Sequence, residues 1–128
     1  MAAEQVIHDR GDQLRQVQGG LLDGERLYAV YDAKGGGTGF VALTDRRVIL
    51  QDKSFVGKRE AIVSVPYSRI ASVAVLSNAS VIGGFFGSSA IVLTTNAGSH
   101  HEVEFRGTDK ARHAHDLVLW HLTRPEQG

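Results

Sequence analysis

Residues 26–51, RLYAVYDAKGGGTGFVALTDRRVILQ, decide the fold class of this chain. From residue 26 onward the side-chain periodicity is two, which is typical of half-buried β-strands. The turn DAKGGGTG separates a first strand from a second over residues 38–44, and a tight reversal at residues 44–46 leads into a third over residues 47–51. This stretch predicts consecutive antiparallel strands, of which the second and third form a hairpin.

The rest of the chain continues the β pattern and then changes to a helical one. Further strands are predicted over residues 61–65, 72–76, 90–95 and 101–106, which makes about seven strands in all. After the expected N-cap Thr108, apolar residues recur at i, i+3 and i+4, as on one buried face of a helix. A short amphipathic helix is also predicted over residues 3–17, ended by Gly19 and Gly20.

The same periodicity predicts the hydrophobic core. The residues that we expect to be buried are Leu43, Ile49, Val73, Val92, Phe105, Leu117, Val118 and Trp120. If Trp120 is buried, its replacement by Ala should cost about 3 to 5 kcal/mol of stability. A much smaller loss would place the C-terminal helix away from the strands.

Composition excludes several classes of protein. A length of 128 residues fits a single domain, and 14 Lys and Arg balance 14 Asp and Glu, so we expect no nucleic-acid partner. The absence of Cys excludes disulfides, thiol nucleophiles, thiolate zinc sites and iron–sulfur clusters. Residues 1–16 contain no apolar core of a secretory signal, which predicts a cytoplasmic protein.

Three short motifs give a more specific indication. They are LDGE at residues 22–25, the hairpin LTDRRVIL at residues 43–50 and the turn PYSRI at residues 66–70. Together with the order of elements, they resemble the small bacterial pleckstrin-homology-like (PH-like) domains of the YokE-like and related groups. The resemblance covers residues 22–122 and implies a mainly β, PH-like superfold. This is a bent antiparallel barrel or sandwich of about seven strands, capped by the C-terminal α-helix.

The resemblance also suggests a division of the chain and a class of activity. We divide the chain into an N-terminal helical extension (residues 1–21), a PH-like domain (22–124) and a tail (125–128). PH-like domains of these groups are not known as enzymes, and they resemble one another in tending to self-associate. The resemblance therefore implies a binding module and not a catalyst.

The residues themselves offer no convincing catalytic site. His100 and His101 point to opposite faces of a strand, and His113 and His115 are two apart on a helix, so neither pair converges by itself. A metal-dependent enzyme that joins the two pairs is the third alternative, but no HExxH motif accompanies them. No serine lies in a Gly-x-Ser-x-Gly elbow, and the two glycine-rich runs lack the GxxxxGK[ST] pattern. We expect no enzyme activity, no metal, no cofactor and no small-molecule substrate.

Two loops carry the candidate binding residues. Lys53, Lys58 and Arg59 flank Phe55, and such a group can bind an anionic head group while the ring enters the interface. Phosphoinositide-binding relatives use a basic first hairpin loop, whereas here residues 32–38 offer only Lys34.

The second loop contains an apolar tip, VIGGFFG at residues 81–87, in which the candidate residues are Ile82, Phe85 and Phe86. Exposed apolar residues usually mark a contact surface. Three alternatives stay open: the rings fold under the barrel mouth, dock a protein or a second copy, or enter a membrane.

We therefore predict a non-enzymatic binding or scaffold module. It would use exposed strand edges and the loop at residues 82–87 to contact a protein partner or copies of itself, as a homo-oligomer. The alternative is a peripheral module at the inner face of the membrane, whose basic loop and apolar tip bind anionic lipid.

Overall fold

The computed structural model describes residues 6–34, 38–53, 60–77 and 88–124. Eight strands, two α-helices and one 3-10 turn lie in these residues. In chain order they are β1 Ile7–His8, α1 Gly11–Gln18, β2 Leu27–Asp32, β3 Thr38–Thr44, β4 Arg47–Asp52, β5 Ala61–Pro66, the turn Tyr67–Arg69, β6 Ile70–Ser77, β7 Ser88–Thr95, β8 His100–Arg106 and α2 Asp109–Thr123. The predicted mainly β architecture with a C-terminal helix is confirmed.

The strands form two sheets that share one core. The first contains five strands in the order β1-β2-β3-β4-β5, and the second contains three in the order β6-β7-β8. Only β1 and β2 run parallel; the other neighbouring pairs in the described residues are antiparallel, including the predicted β3–β4 hairpin. In these residues the sheets are not closed into a barrel, so the architecture is a sandwich.

The N-terminal segment differs from the helix predicted over residues 3–17. Ile7 and His8 form a short strand that pairs with Ala29 and Val30 of β2, and α1 begins only at Gly11. In a helix, the backbone groups of Ile7 and His8 would bond within the helix, whereas here they bond to β2. The same pairing covers the outer edge of β2, which has no other neighbour in the described sheet. Gly11 is therefore the first residue of the helix.

The core lies between the two sheets and beneath α2. Four of the predicted core residues are confirmed as buried: Leu43, Ile49, Phe105 and Val118. Leu117, Val73 and Val92 are half-buried. Among the described residues, no helix is long and apolar enough to cross a lipid bilayer.

The prediction that Trp120 is buried is wrong, because its side chain is 52 % exposed. The buried line of α2 consists of Ala111, Ala114 and Val118. Successive residues of a helix turn by about 100°, so Trp120 lies about 200° from Val118 and faces away from the sheets.

The helix α1 covers the outer face of the five-stranded sheet. Val17 of α1 packs with Phe40, Val30 and Ile49 in a second, smaller apolar cluster. The amide of Gln13 donates to Asp32 Oδ1 over 2.7 Å. This sheet is therefore apolar on both faces and covered on both, by the core on one side and by α1 on the other.

The three motifs that carry the family resemblance meet at one end of this sheet. Arg47 donates two 2.8 Å hydrogen bonds to the carboxylate of Glu25, and the Thr44 hydroxyl donates a third over 2.7 Å. The Tyr67 hydroxyl donates to the backbone carbonyl of Thr44. Hydrogen bonding from Arg47 is the main reason that the pKa of Glu25 falls to about 2. The motifs are structural, since they hold strands together.

Candidate functional site

The outer face of the three-stranded sheet carries an apolar strip along β6. Every second side chain of β6 points into the core, which leaves Ser72, Ala74 and Leu76 on the outer side. All three are exposed, and Leu76 is 49 % exposed. Val92 of β7 lies opposite Ala74 on the same side. We call Ser72, Ala74, Leu76 and Val92 the β6 face.

β6 is also an edge strand of its sheet. In the described residues it pairs with β7 on one side, and its sequence, IASVAVLS, contains no charged residue. An irregularity in the pairing with β7 lies between Ile70 and Ser72, at the beginning of the strand. Toward Leu76 the edge has none of the lysines, prolines or bulges that natural proteins place on unpaired strands.

An acidic border lies beside the β6 face. Glu102 of β8 is opposite Val92, and Glu104 is opposite Ala90, so both glutamates project from the outer side of the sheet. Glu102 is exposed and Glu104 is half-buried. The outer face thus changes from uncharged at β6 to acidic at β8.

A second exposed apolar surface lies at the C-terminal end of α2. Leu119 is 41 % exposed beside Trp120, and the guanidinium carbon of Arg124 lies 5.2 Å from the centre of the Trp120 ring. A cation at this distance is attracted to the ring face. We call Leu119, Trp120 and Arg124 the α2 end.

Aromatic contacts connect Trp120 to the body of the domain. Its ring meets the ring of His121 edge to face at 4.9 Å, and His121 stacks on Tyr67 with ring centres 4.2 Å apart. The imidazole is oriented by a 2.8 Å hydrogen bond between its Nδ1 and the carbonyl of Leu117. Burial raises the pKa of the Tyr67 hydroxyl, which keeps this group neutral. The Trp120 ring is therefore held in position by packed aromatic residues although its other side is exposed.

A cavity of about 230 Å³ opens near the first hairpin, where sheet edges approach each other. Its lining residues are Thr38, Leu50, Asp52, Val63, His100, His101 and Glu102. Among the described residues that line it, there is no Lys or Arg to bind a phosphate group. The cavity therefore does not match the basic character that an anionic head group requires.

The predicted binding residues fall mostly outside the described part of the chain. Lys53 is exposed directly after β4. The other six predicted residues lie outside the described residues: Phe55, Lys58, Arg59, Ile82, Phe85 and Phe86. Their grouping into a basic loop and an apolar tip stays a prediction.

The histidines are not brought together by the fold. In the described ranges, no group of three His, Cys, Asp or Glu side chains could hold a metal ion. His113 hydrogen-bonds the Tyr31 hydroxyl, and His115 contacts the carboxylate of Asp116 at 2.9 Å. These two side chains have partners next to or beneath α2.

The sequence contained signals for the two surfaces that its interpretation missed. The exposure of Trp120 follows from its angular distance from Val118 on the helix. Residues 72–76 alternate between solvent and core, and the whole strand has no charged residue, which distinguishes it from an ordinary protected edge. Neither signal predicts whether another segment of the chain covers the surface, because that depends on the tertiary structure.

Two mainly antiparallel sheets around one core, with a C-terminal helix packed against them, define the PH-like class of domain. The chain belongs to the bacterial PH domain family, whose sequence model matches residues 23–119. No curated protein matches the chain. PH-like domains are in general binding or scaffold modules and are typically non-catalytic.

Proposed function

We propose that this chain is a protein-binding module whose contact surface is the β6 face together with the edge of β6. The observation that carries the proposal is an uncharged eight-residue edge strand with Leu76 half exposed. Exposed backbone donors and acceptors along such an edge can pair with a strand of another chain. The apolar face would add burial to that pairing.

A comparison with β5, an edge strand of the other sheet, supports the choice of β6. β5 is the edge strand of the five-stranded sheet, and it ends in Pro66, which cannot donate a backbone hydrogen bond. β6 has no such residue. The predicted apolar tip at residues 82–87 follows β6 in sequence and is proposed to extend the same contact surface.

Site-specific photo-cross-linking tests this proposal in cells that express the chain. A photoreactive phenylalanine analogue at Ala74 should give discrete protein adducts, whereas the same group at exposed Arg15 of α1 should give none. Introduction of Leu76→Lys should abolish the adducts from position 74, since a lysine on the edge blocks strand addition. No protein adduct from position 74, or equal adducts from position 15, would contradict the proposal.

The alternative is a peripheral membrane module that binds anionic lipid through Lys53, Lys58 and Arg59. Exposure of Lys53 directly after β4 supports it. The cavity nearby argues against a head group at that end, because the described residues that line it include no Lys or Arg. Co-sedimentation with anionic and neutral vesicles tests it at low and high salt. Salt-sensitive binding to anionic vesicles, lost in a Lys53→Glu, Lys58→Glu, Arg59→Glu variant, would favour this alternative.

A further inference from the structure

We infer that the partner of β6 is an extended segment of another protein, which lies between the edge of β6 and one flank of α2. This segment carries large apolar side chains at every second position and an acidic residue at one end. The inference rests on the proposed function and names the chemistry of its partner. It depends on the burial of the inward side chains of β6 and on the orientation of α2 beside that strand.

The inner side of the three-stranded sheet is less covered at β6 than at the other two strands. Ile91 of β7 and Val103 of β8 point inward and are completely buried. Val73 and Val75 of β6 pack against the same core but remain partly exposed. In the described residues, coverage of the sheet therefore diminishes toward the edge of β6. A strand added at this edge would bury the remaining surface of both valines.

α2 has one flank toward the five-stranded sheet and the other toward β6. On the first flank, His113 hydrogen-bonds the Tyr31 hydroxyl of β2. The strand β8 adjoins that sheet as well, because the carbonyl of Glu104 accepts a 2.7 Å hydrogen bond from the backbone N–H of Lys34. In the order β8-β7-β6, β6 is the strand farthest from this junction. Since α2 packs mainly on β6 and β7, its second flank lies beside β6.

The flank beside β6 offers apolar surface to a bound segment. Residues three or four apart share one face of a helix, and His115, Leu119 and Leu122 follow this spacing. We call these three residues the α2 flank. Leu122 packs against the core and is half-buried, whereas Leu119 is 41 % exposed. The α2 flank and the inward valines of β6 thus provide apolar surface on two sides of the place that an added strand would occupy.

Strand addition determines the spacing of the side chains in the partner. The pairing of β6 with β7 is regular over residues 72–77, so a segment of similar length can pair with the opposite edge. Successive side chains of a strand point to opposite sides. Every second side chain of the segment would therefore point toward the α2 flank, where a large apolar group is buried. The others would lie beside Ala74 and Leu76 of the β6 face.

A basic residue extends the same face of α2 toward the beginning of the helix. Arg112 precedes His115 by three residues and is exposed. Its guanidinium has no hydrogen bond or ion pair with another of the residues that the structure describes. Asp116, four residues further on, contacts His115 at 2.9 Å instead. A carboxylate at one end of the bound segment would complement Arg112, because guanidinium groups form strong hydrogen bonds with carboxylates.

Selection from a phage-displayed library of random decapeptides tests the predicted chemistry on the full-length chain. We expect the enriched peptides to carry apolar residues at every second position, with an acidic residue at one end. Proline should be absent from the alternating part, because it lacks the backbone N–H that strand pairing uses. Fluorescence anisotropy of a labelled enriched peptide then gives its affinity for the chain and for each variant.

Methylation of single backbone amides in the enriched peptide tests strand pairing directly. Alternate N–H groups of a strand point to the same neighbour, so methylation should matter only at every second residue. At those positions we expect the affinity to fall at least about tenfold, and at the positions between them less than about twofold. Equal losses at both sets of positions would contradict binding as an added strand.

Two adjacent residues of the α2 end provide a matched pair of variants. Leu119→Asp should weaken peptide binding at least about tenfold, because it places a charge on the α2 flank. Trp120→Asp should change binding less than about twofold, since Trp120 is similarly exposed but lies about 100° further around the helix. Arg112→Glu should weaken binding and make lysine the preferred residue at the acidic position. Circular dichroism melting checks that every variant remains folded.

Three results would overturn the inference. They are a library without enrichment, enriched peptides without the alternation, and equal effects of Leu119→Asp and Trp120→Asp. If one of them appears while position 74 still gives protein adducts that Leu76→Lys abolishes, the proposed function stands and only the predicted partner segment is wrong. If position 74 gives no protein adduct either, both proposals fail.

Discussion

The outer faces of the two sheets have similar side chains and opposite surroundings. On the five-stranded sheet Val30 and Phe40 point outward, yet both are buried because α1 lies over them. On the three-stranded sheet Ala74 and Leu76 point outward and remain exposed. One apolar sheet face is therefore covered by a helix of the same chain, whereas the other has exposed apolar side chains, which is why we propose the second as the binding surface.

The largest expected effect tests this comparison in the isolated chain. Phe40→Ala should lower the free energy of unfolding by about 3 to 5 kcal/mol, because it opens a cavity beneath α1. Leu76→Ala, on the other outer face, should cost less than about 1 kcal/mol in dilute solution. Urea unfolding of both variants measures the difference. Equal losses would mean that the two faces are equally covered.

A slightly smaller effect is expected at the polar contact beside α1. Arg47 links Glu25 to the carbonyl of Gly20 after that helix, so Glu25→Gln should cost about 2 to 4 kcal/mol near neutral pH. An Arg47→Met variant and the double variant complete a cycle that isolates the pair. If Glu25→Gln lowers the free energy of unfolding by less than about 0.5 kcal/mol, apolar packing alone holds α1 on the sheet.

The same carboxylate predicts a dependence of stability on pH. The pKa of Glu25 is about 2 in the folded chain against 4.5 ordinarily, so the folded state favours the ionised form. Its contribution is complete above about pH 4.5 and is lost as the pH falls toward 2. Wild-type protein should lose stability across this window by more than Glu25→Gln does. Parallel curves for the two proteins would contradict the assignment.

A modest effect is expected for Trp120→Ala. The exposed ring contributes its contacts with His121 and Arg124, so the loss in unfolding free energy should be about 1 kcal/mol. Val118→Ala, on the buried side of the same helix, should cost about 2 kcal/mol. Thermal melting of the two variants at low concentration gives the ranking. A loss of 3 kcal/mol or more at Trp120 would show that its ring contributes to the core although it is exposed.

The smallest effect is expected for the ion pair between the N-terminal segment and α2. Lys110 Nζ lies 3.0 Å from Asp9 Oδ2, and both side chains are partly solvated. Lys110→Met should change the free energy of unfolding by less than about 1 kcal/mol, because partly exposed ion pairs are screened by water and salt. If Lys110→Met released α1 from the sheet, the ion pair and not apolar packing would be what holds α1 in place.

Much of the fold could be predicted from local patterns. Alternation placed β3 over residues 38–44 at the bounds that the structure has, and the buried positions Leu43 and Phe105 followed from the same period. The N-terminal helix was only partly predictable. The pairing of Ile7 with Ala29 depends on a strand 22 residues further along, which a local helical pattern does not contain.

By itself, the sequence determined the order of strands, the C-terminal helix and the family, because these follow from side-chain period and from motifs that close turns and ion pairs. The tertiary structure decided which apolar faces are covered. Phe40 and Leu76 both point outward from strands, and only the path of α1 over the first sheet buries one and leaves the other exposed. Burial depends on contacts between distant segments, so the exposed apolar face that we propose as the binding surface is defined only once the sheets are assembled.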